Sequence, residues 1–355
     1  MQQLVQLRGR GTALNPVNRF ERIAFEPDPG ELPDGEEPAS PRTQFFRDST
    51  RTVIATNDSP DVGFTHSLNP YRGCEHGCVY CFARPFHEFL GLSSGLDFET
   101  RIFVKEDAPE LLRRELASPR WKPTPIAMSG VTDPYQPVER RLRLTRRCLE
   151  VLVEFRNPVG IVTKNHLVTR DADLLGTLAA HGSAAVHVSL TTLDEKLQRA
   201  MEPRASAPRL RLDAVRRLAD AGVPVGVLLA PIIPGLTDHE VPALLDAAAA
   251  AGAGSAGFIP LRLPYAVKDL FESWLEANFP DRKRKVLGRI REIRGGELYD
   301  SRWGVRMSGE GVYAEHMHTL FETARRRAGL DQERRPLSTA AFRRPPSGGQ
   351  LALFE

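Results

Sequence analysis

Three cysteines, Cys74, Cys78 and Cys81, lie within eight residues in the segment NPYRGCEHGCVYCFARP. Thiolates at a C-x3-C-x2-C spacing suit a soft metal centre, either zinc or iron–sulfur. Three ligands leave one coordination position open, whereas a structural zinc takes a closed set of four. His76 or His87 could close such a set, so zinc stands beside iron–sulfur at this level. The fourth cysteine, Cys148, lies in TRRCLEVLVEF, where a helical apolar face explains it as a small core residue.

These thiols need a scaffold, and the chain supplies alternating apolar runs and amphipathic segments. PIAMSG (125–130), VGIVTK (159–164), AVHVSLT (185–191), VPVGVLLA (223–230) and AGFIPL (256–261) read as strands buried on both faces. Between them, 145–155, 169–180, 207–221 and 237–251 read as helices; Thr237 and Glu240 offer a capping box, and Gly222 and Gly252 fit helix ends. Such alternation implies a parallel α/β sheet, as a barrel or a doubly wound sheet. Residues 266–330 read as a helical C-terminal region. Within it, 281–294 carries seven basic and two acidic residues, a solvated helix face or a phosphate-contacting surface. The arm 1–45 and the tail 331–355, rich in Pro, Gly and charge, are expected to be flexible, leaving 46–265 as the core.

Composition narrows the class. The chain has 355 residues, 41% hydrophobic and 26% charged, enough for a large core. Lys+Arg 48 against Asp+Glu 45 gives a net +3, which by itself requires neither nucleic acid nor membrane. No apolar run is long enough for a membrane span, and the first residues lack a secretory pattern, so a cytoplasmic protein is expected.

The cysteine segment, with Tyr80 at the aromatic position of C-x3-C-x-aromatic-C, resembles the signature of the radical S-adenosylmethionine (SAM) superfamily. SGVTDPYQPVE (129–139), VTKN (162–165), VSLTT (188–192), MEPRASAPRLRLDAVRRLADAG (201–222) and PIIPGLTD (231–238) resemble its spore photoproduct lyase-like branch, often labelled DNA repair photolyase-like. RGRGTALNPVNRFE and the longer cysteine segment resemble one bacterial subgroup of that branch. The resemblance implies a partial (β/α)6 barrel with its site at the C-terminal strand ends. It also implies a [4Fe-4S] cluster on Cys74, Cys78 and Cys81, whose open iron chelates SAM. Reductive cleavage of SAM would then give methionine and a 5′-deoxyadenosyl radical, with an electron from a reductase such as flavodoxin or ferredoxin.

For the cofactor, the resemblance points to Ser129, Thr132 and Asp133 near the SAM amino group, to Lys164 and Arg204 near its carboxylate, and to Ser189 near its carboxylate or ribose. It places Ile232 and Ile233 against adenine, with Tyr80 and Phe82 shielding the cluster. The plainer readings are a polar turn, a solvent lysine, an Arg204–Glu202 surface pair and a buried strand end. On the substrate side stand His87, Tyr135, Gln136, Glu139, His166 and Arg262, while His181 and His187 read as structural. Spore photoproduct lyase returns hydrogen from a further cysteine near the end of its second core strand. Here that strand reads IAMSGVTD, without one, which makes Tyr135 a candidate hydrogen donor.

The chain ends QLALFE, and Gln350-Leu351-Ala352-Leu353-Phe354 resembles the bacterial sliding-clamp-binding peptide. The expected function is therefore radical SAM chemistry on DNA lesions. The alternatives are the same chemistry on RNA, protein or a small molecule, and a clamp-associated nucleic-acid-binding protein with a structural metal.

Overall fold

The computed structural model describes residues 7–21, 41–332 and 336–345. Ten strands form two sheets: β1 (Gln44–Arg47), β2 (Ile54–Thr56), β3 (His66–Leu68), β4 (Tyr71–Arg72), β5 (Arg101–Val104), β6 (Ile126–Met128), β7 (Val159–Thr163), β8 (Ala184–Ser189), β9 (Val225–Ile232) and β10 (Ser255–Pro260). The large sheet runs β10-β9-β8-β7-β6-β3-β2, and every neighbouring pair from β3 to β10 is parallel. Spatial order thus follows chain order, without the reversal of a doubly wound sheet. Repeated right-handed crossovers then keep the helices on one face and curl the sheet into a partial six-stranded barrel. β2 adds an antiparallel edge to β3.

The helices Leu144–Phe155, Ala172–Ala179, Pro208–Asp220 and Val241–Ala250 cover the outer face. Their Cys148, Leu149, Leu152, Leu175, Leu178, Val215, Leu218, Leu244 and Leu245 form one core with Ile126, Met128, Ile161, Val186, Val188, Val227 and Leu229. Along β7 buried and half-buried residues alternate, so its second face is less covered than a continuous apolar run implies. The capping box at Thr237 does not form, because Thr237 Oγ1 accepts the Ile233 amide at 2.9 Å and Glu240 accepts from Thr192 and Leu193.

Two segments read from sequence as flexible are packed where described. Residues 7–21 lie against the cysteine loop, with Arg10 buried and the Gly11 amide donating to Glu99 at 2.9 Å. Residues 336–345 cross the N-terminal ends of β7 and β8. There the Ser338 amide donates to Gly182 O and the Arg343 amide to Phe155 O, both at 2.9 Å. Polar composition underestimated them because hydrogen bonds seat both segments, helped in the second by Phe342 packed against the core beside Phe155. Gln350–Phe354 lies outside the described residues.

Candidate active site

The cysteine loop follows β4 and is held from four sides. The Cys74 amide donates to Phe98 O at 2.9 Å, and the Val79 amide to Met201 O at 3.0 Å. From the loop after β6, Thr132 Oγ1 donates to Gly73 O at 2.7 Å, and Gln136 accepts the Glu75 amide at 3.0 Å. Below the loop, wholly buried Arg84 donates to Cys78 O at 3.0 Å and pairs with buried Glu99. Gly73 and Gly77 have φ of 79° and 66°, a left-handed conformation that bends the chain around the thiols.

All four cysteines are free. Cys74 and Cys78 are buried and Cys81 is partly exposed. Burial, followed by the charges of Glu202 and the other two thiols, raises Cys78. Burial and Cys74 push Cys81 up to about 11. Three thiolates crowded on one loop repel one another, and a cationic iron–sulfur group relieves that repulsion, so the donor set fits such a cluster. Among the described residues no three His, Cys, Asp or Glu side chains are arranged to hold a single metal ion. Nor do the histidines close a zinc set. His76 has Nδ1 3.4 Å from Asp133 and Nε2 3.1 Å from Asn165. His87 packs edge-on to Phe98 and Phe103.

The strand ends next to the loop carry the expected polar residues. Asp133 Oδ1 accepts from Thr163 Oγ1 at 2.7 Å and Oδ2 from the Lys164 amide at 2.8 Å. Burial opposes its charge, but His76 and these donors hold its carboxyl below the usual range. Asp133 thus ties the loop after β6 to the end of β7, and Thr132 ties it to the cysteine loop. Ser129 is half-buried just beyond β6. Lys164 Nζ donates to Ser189 Oγ at 2.5 Å and Ala230 O at 3.0 Å, and lies 5.8 Å from the Tyr80 ring centre. Lys164 is thus a partly exposed ammonium beside a serine hydroxyl and the thiol loop, with buried Glu202 3.8 Å away. Ile233 is buried with Cys78, Val79 and Tyr80 in a second apolar cluster.

Several expectations need correction. Arg204 does not pair with Glu202; it reaches Glu75 at 3.0 Å and Thr43 at 3.2 Å. Glu202 is instead buried among Arg211, Tyr80 and Thr191. Burial opposes its charge, but Arg211 and Lys164 hold it down at about 2. Phe82 is exposed and does not shield the loop. Tyr135, the candidate hydrogen donor, is fully buried in the main core beside Asp171 and Arg170, away from any open mouth. Cys148 is likewise buried in that core. Glu139 is consumed by Tyr71, Thr145 and Arg170, and His166 by Asp213. Sequence reasoning missed Arg84, Glu99, Glu202 and Arg211 as supports. Their only signal was acidic and basic residues inside apolar surroundings, which spacing does not pair.

The family model "Radical SAM superfamily" matches residues 68–248, the span from β3 to the helix after β9. The chain belongs to the radical SAM superfamily. A protein of Mycobacterium bovis is 36% identical over 67% of this chain and 71% of its own. A protein of Methanocaldococcus jannaschii is 30% identical over 52% and 66%. The radical SAM Nalpha-GlyT isomerase of Pseudomonas phage M6 is 24% identical over 57% of this chain and 40% of its own. In fold, a variant of spore photoproduct lyase superposes with TM-score 0.53 at 18% identity, covering 80% of this chain and 79% of the other. The same lyase complexed with dinucleoside spore photoproduct gives 0.51 at 18%, covering 80% and 78%. This radical SAM chain is therefore an enzyme with the superfamily's parallel α/β barrel and a helical C-terminal region. Membership implies a [4Fe-4S] cluster and SAM. Among the described residues no helix is long and apolar enough to cross a membrane.

Proposed function

We propose that Cys74, Cys78 and Cys81 hold a [4Fe-4S] cluster, and that the chain binds SAM beside it and acts on damaged or modified bases in DNA. The observation that carries this is the meeting of the thiol loop with Lys164 and Ser189 at adjacent strand ends. When bound, the cluster supplies the electron for reductive cleavage of SAM. Lys164 and Ser189 receive the SAM carboxylate, Ser129 the amino group, and the backbone and side chain of Ile233 the adenine. Asp133, Thr132 and Glu202 fix these groups in place. DNA as substrate is supported by the likeness in fold to the lyase complexed with dinucleoside spore photoproduct and by the exposed basic residues of the helix Pro280–Glu292. A small electron-carrying reductase is the matching partner.

The test is anaerobic reconstitution followed by iron and sulfide analysis and reductive turnover. SAM should change the cluster spectrum, and Cys78→Ala should abolish 5′-deoxyadenosine formation. A spectrum indifferent to SAM would remove the assignment. We also propose that Gln350–Phe354 docks on a bacterial sliding clamp. Deleting 350–355 should abolish clamp binding without altering SAM cleavage, and retained binding would sink that proposal.

A further inference from the structure

Arg262 follows β10, the last parallel strand, and its guanidinium lies 5.0 Å from the Phe82 ring centre. Phe82 is the neighbour of Cys81, so this arginine stands at the edge of the cluster loop. Its bonding is poor for a charged group. Nη1 meets the weakly accepting sulfur of Met307 at 3.1 Å, Tyr299 is a further side-chain hydrogen-bond partner, and Nε is buried without an acceptor. Among the described residues no carboxylate forms an ion pair with it. Arg294, only 1% exposed, sits behind it. Arg294 spends its two terminal nitrogens on Leu261 O and Val305 O, each at 2.8 Å, and its own Nε has no acceptor. Burial and then the charge of Arg262 lower Arg294 to about 10.

Nearby arginines are neutralised. Arg306 pairs with Asp61, Arg302 with Asp300 and Glu310, and Arg19 with Glu88. Asp61 and Asp300 act on these two guanidiniums, Arg262 and Arg294, only as minor charges beside the burial that lowers both, and an incoming anion offsets the cost that remains. The planar fork of arginine takes an oxyanion two bonds at a time. Two exposed rings accompany these arginines, Phe82 under Arg262 and Trp303 under Arg306 at 4.0 Å, 42% and 58% exposed. An oxyanion carried beside a flat ring is the chemistry of a nucleotide.

We propose that Arg262, backed by Arg294, is the residue that recognises a phosphodiester of a nucleic-acid substrate at the mouth of the barrel, apart from the cofactor groups on β7 and β8. The assignment rests on the function proposed above and adds the substrate-reading residue.

The test uses anaerobic, cluster-loaded protein and a 5′-fluorescein thymidine 10-mer, read by anisotropy, against the same oligomer with neutral methylphosphonate linkages. Arg262→Gln should weaken binding of the charged oligomer about tenfold and leave the neutral one unchanged. Arg262→Lys should recover part of the loss. Arg284→Gln, on the exposed basic helix, should produce a smaller loss. Equal binding by wild type and Arg262→Gln overturns the proposal. So does an equal loss on both oligomers, which would mark a packing role against Phe82, or competition by poly-glutamate as strong as by the oligonucleotide. The SAM-induced spectral change is recorded on the same samples. Its absence in wild type would remove the function proposed above, while the oligomer comparison would still decide Arg262.

Discussion

Gly11 and Gly77 meet backbone to backbone: a Cβ placed on Gly11 would lie 1.7 Å from the carbonyl oxygen of Gly77. Gly77 immediately precedes Cys78, so the N-terminal segment is seated directly on the ligand loop. Nothing there yields cheaply, because the obstructing atom is backbone. Gly11→Ala must therefore lift residues 7–21 or shift the loop. The expected cost is about 2 kcal/mol or more, with fewer irons retained per chain after anaerobic reconstitution. Unaltered melting temperature and iron content would show that the segment is not a support for the loop.

Glu202 joins the cysteine loop to the barrel interior through Tyr80 and Arg211. Glu202→Gln leaves Arg211 buried without its countercharge, and about 3–5 kcal/mol of stability should be lost by denaturant titration. The double variant Glu202→Gln, Arg211→Met should lose less than the sum of the two singles, since the stranded charge is gone. Additive losses would mean that the two side chains act independently.

Lys164 and Arg204 are both basic residues near the loop, but their commitments differ. Lys164 donates to Ser189 Oγ and Ala230 O, and its one carboxylate neighbour among the described residues, Glu202, is 3.8 Å away and already bonded to Arg211. Arg204 is already paired with Glu75. Lys164→Met should raise the Kd for SAM, measured from the cluster spectrum, by about tenfold or more. Arg204→Gln should change it by less than about threefold, as expected for an ion pair outside the binding site. The reverse ranking would transfer the carboxylate to Arg204.

How much of this was legible depended on whether the physics was local. The thiol spacing, and Lys164 and Ser189 at strand ends, are local patterns, and the structure brings them together. The five apolar runs became β6 to β10 because side-chain periodicity survives any tertiary arrangement. His66–Leu68 escaped as a strand because three residues carry too little pattern to register, although it opens the barrel. Tyr135 was misplaced because a polar hydroxyl beside a strand end looks accessible until Arg170 and Asp171 are packed over it. The Arg84–Glu99 pair was invisible because its partners are linked only by the fold.

His87 gives a pH signature with a defined sign. Burial is the largest influence and lowers its pKa from 6.5 to about 4. Between these values the unfolded chain holds a proton that the folded chain refuses. The contribution is therefore complete above pH 6.5 and declines as pH falls toward 4, by about 1.4 kcal/mol per pH unit. His87→Phe keeps the edge-on contacts with Phe98 and Phe103 and removes the titration. In denaturant titrations of iron-free protein, wild type should lose about 2 kcal/mol more than His87→Phe between pH 6.5 and pH 5. Parallel pH profiles for the two proteins would mean that His87 accepts its proton in the folded chain as readily as in the unfolded one.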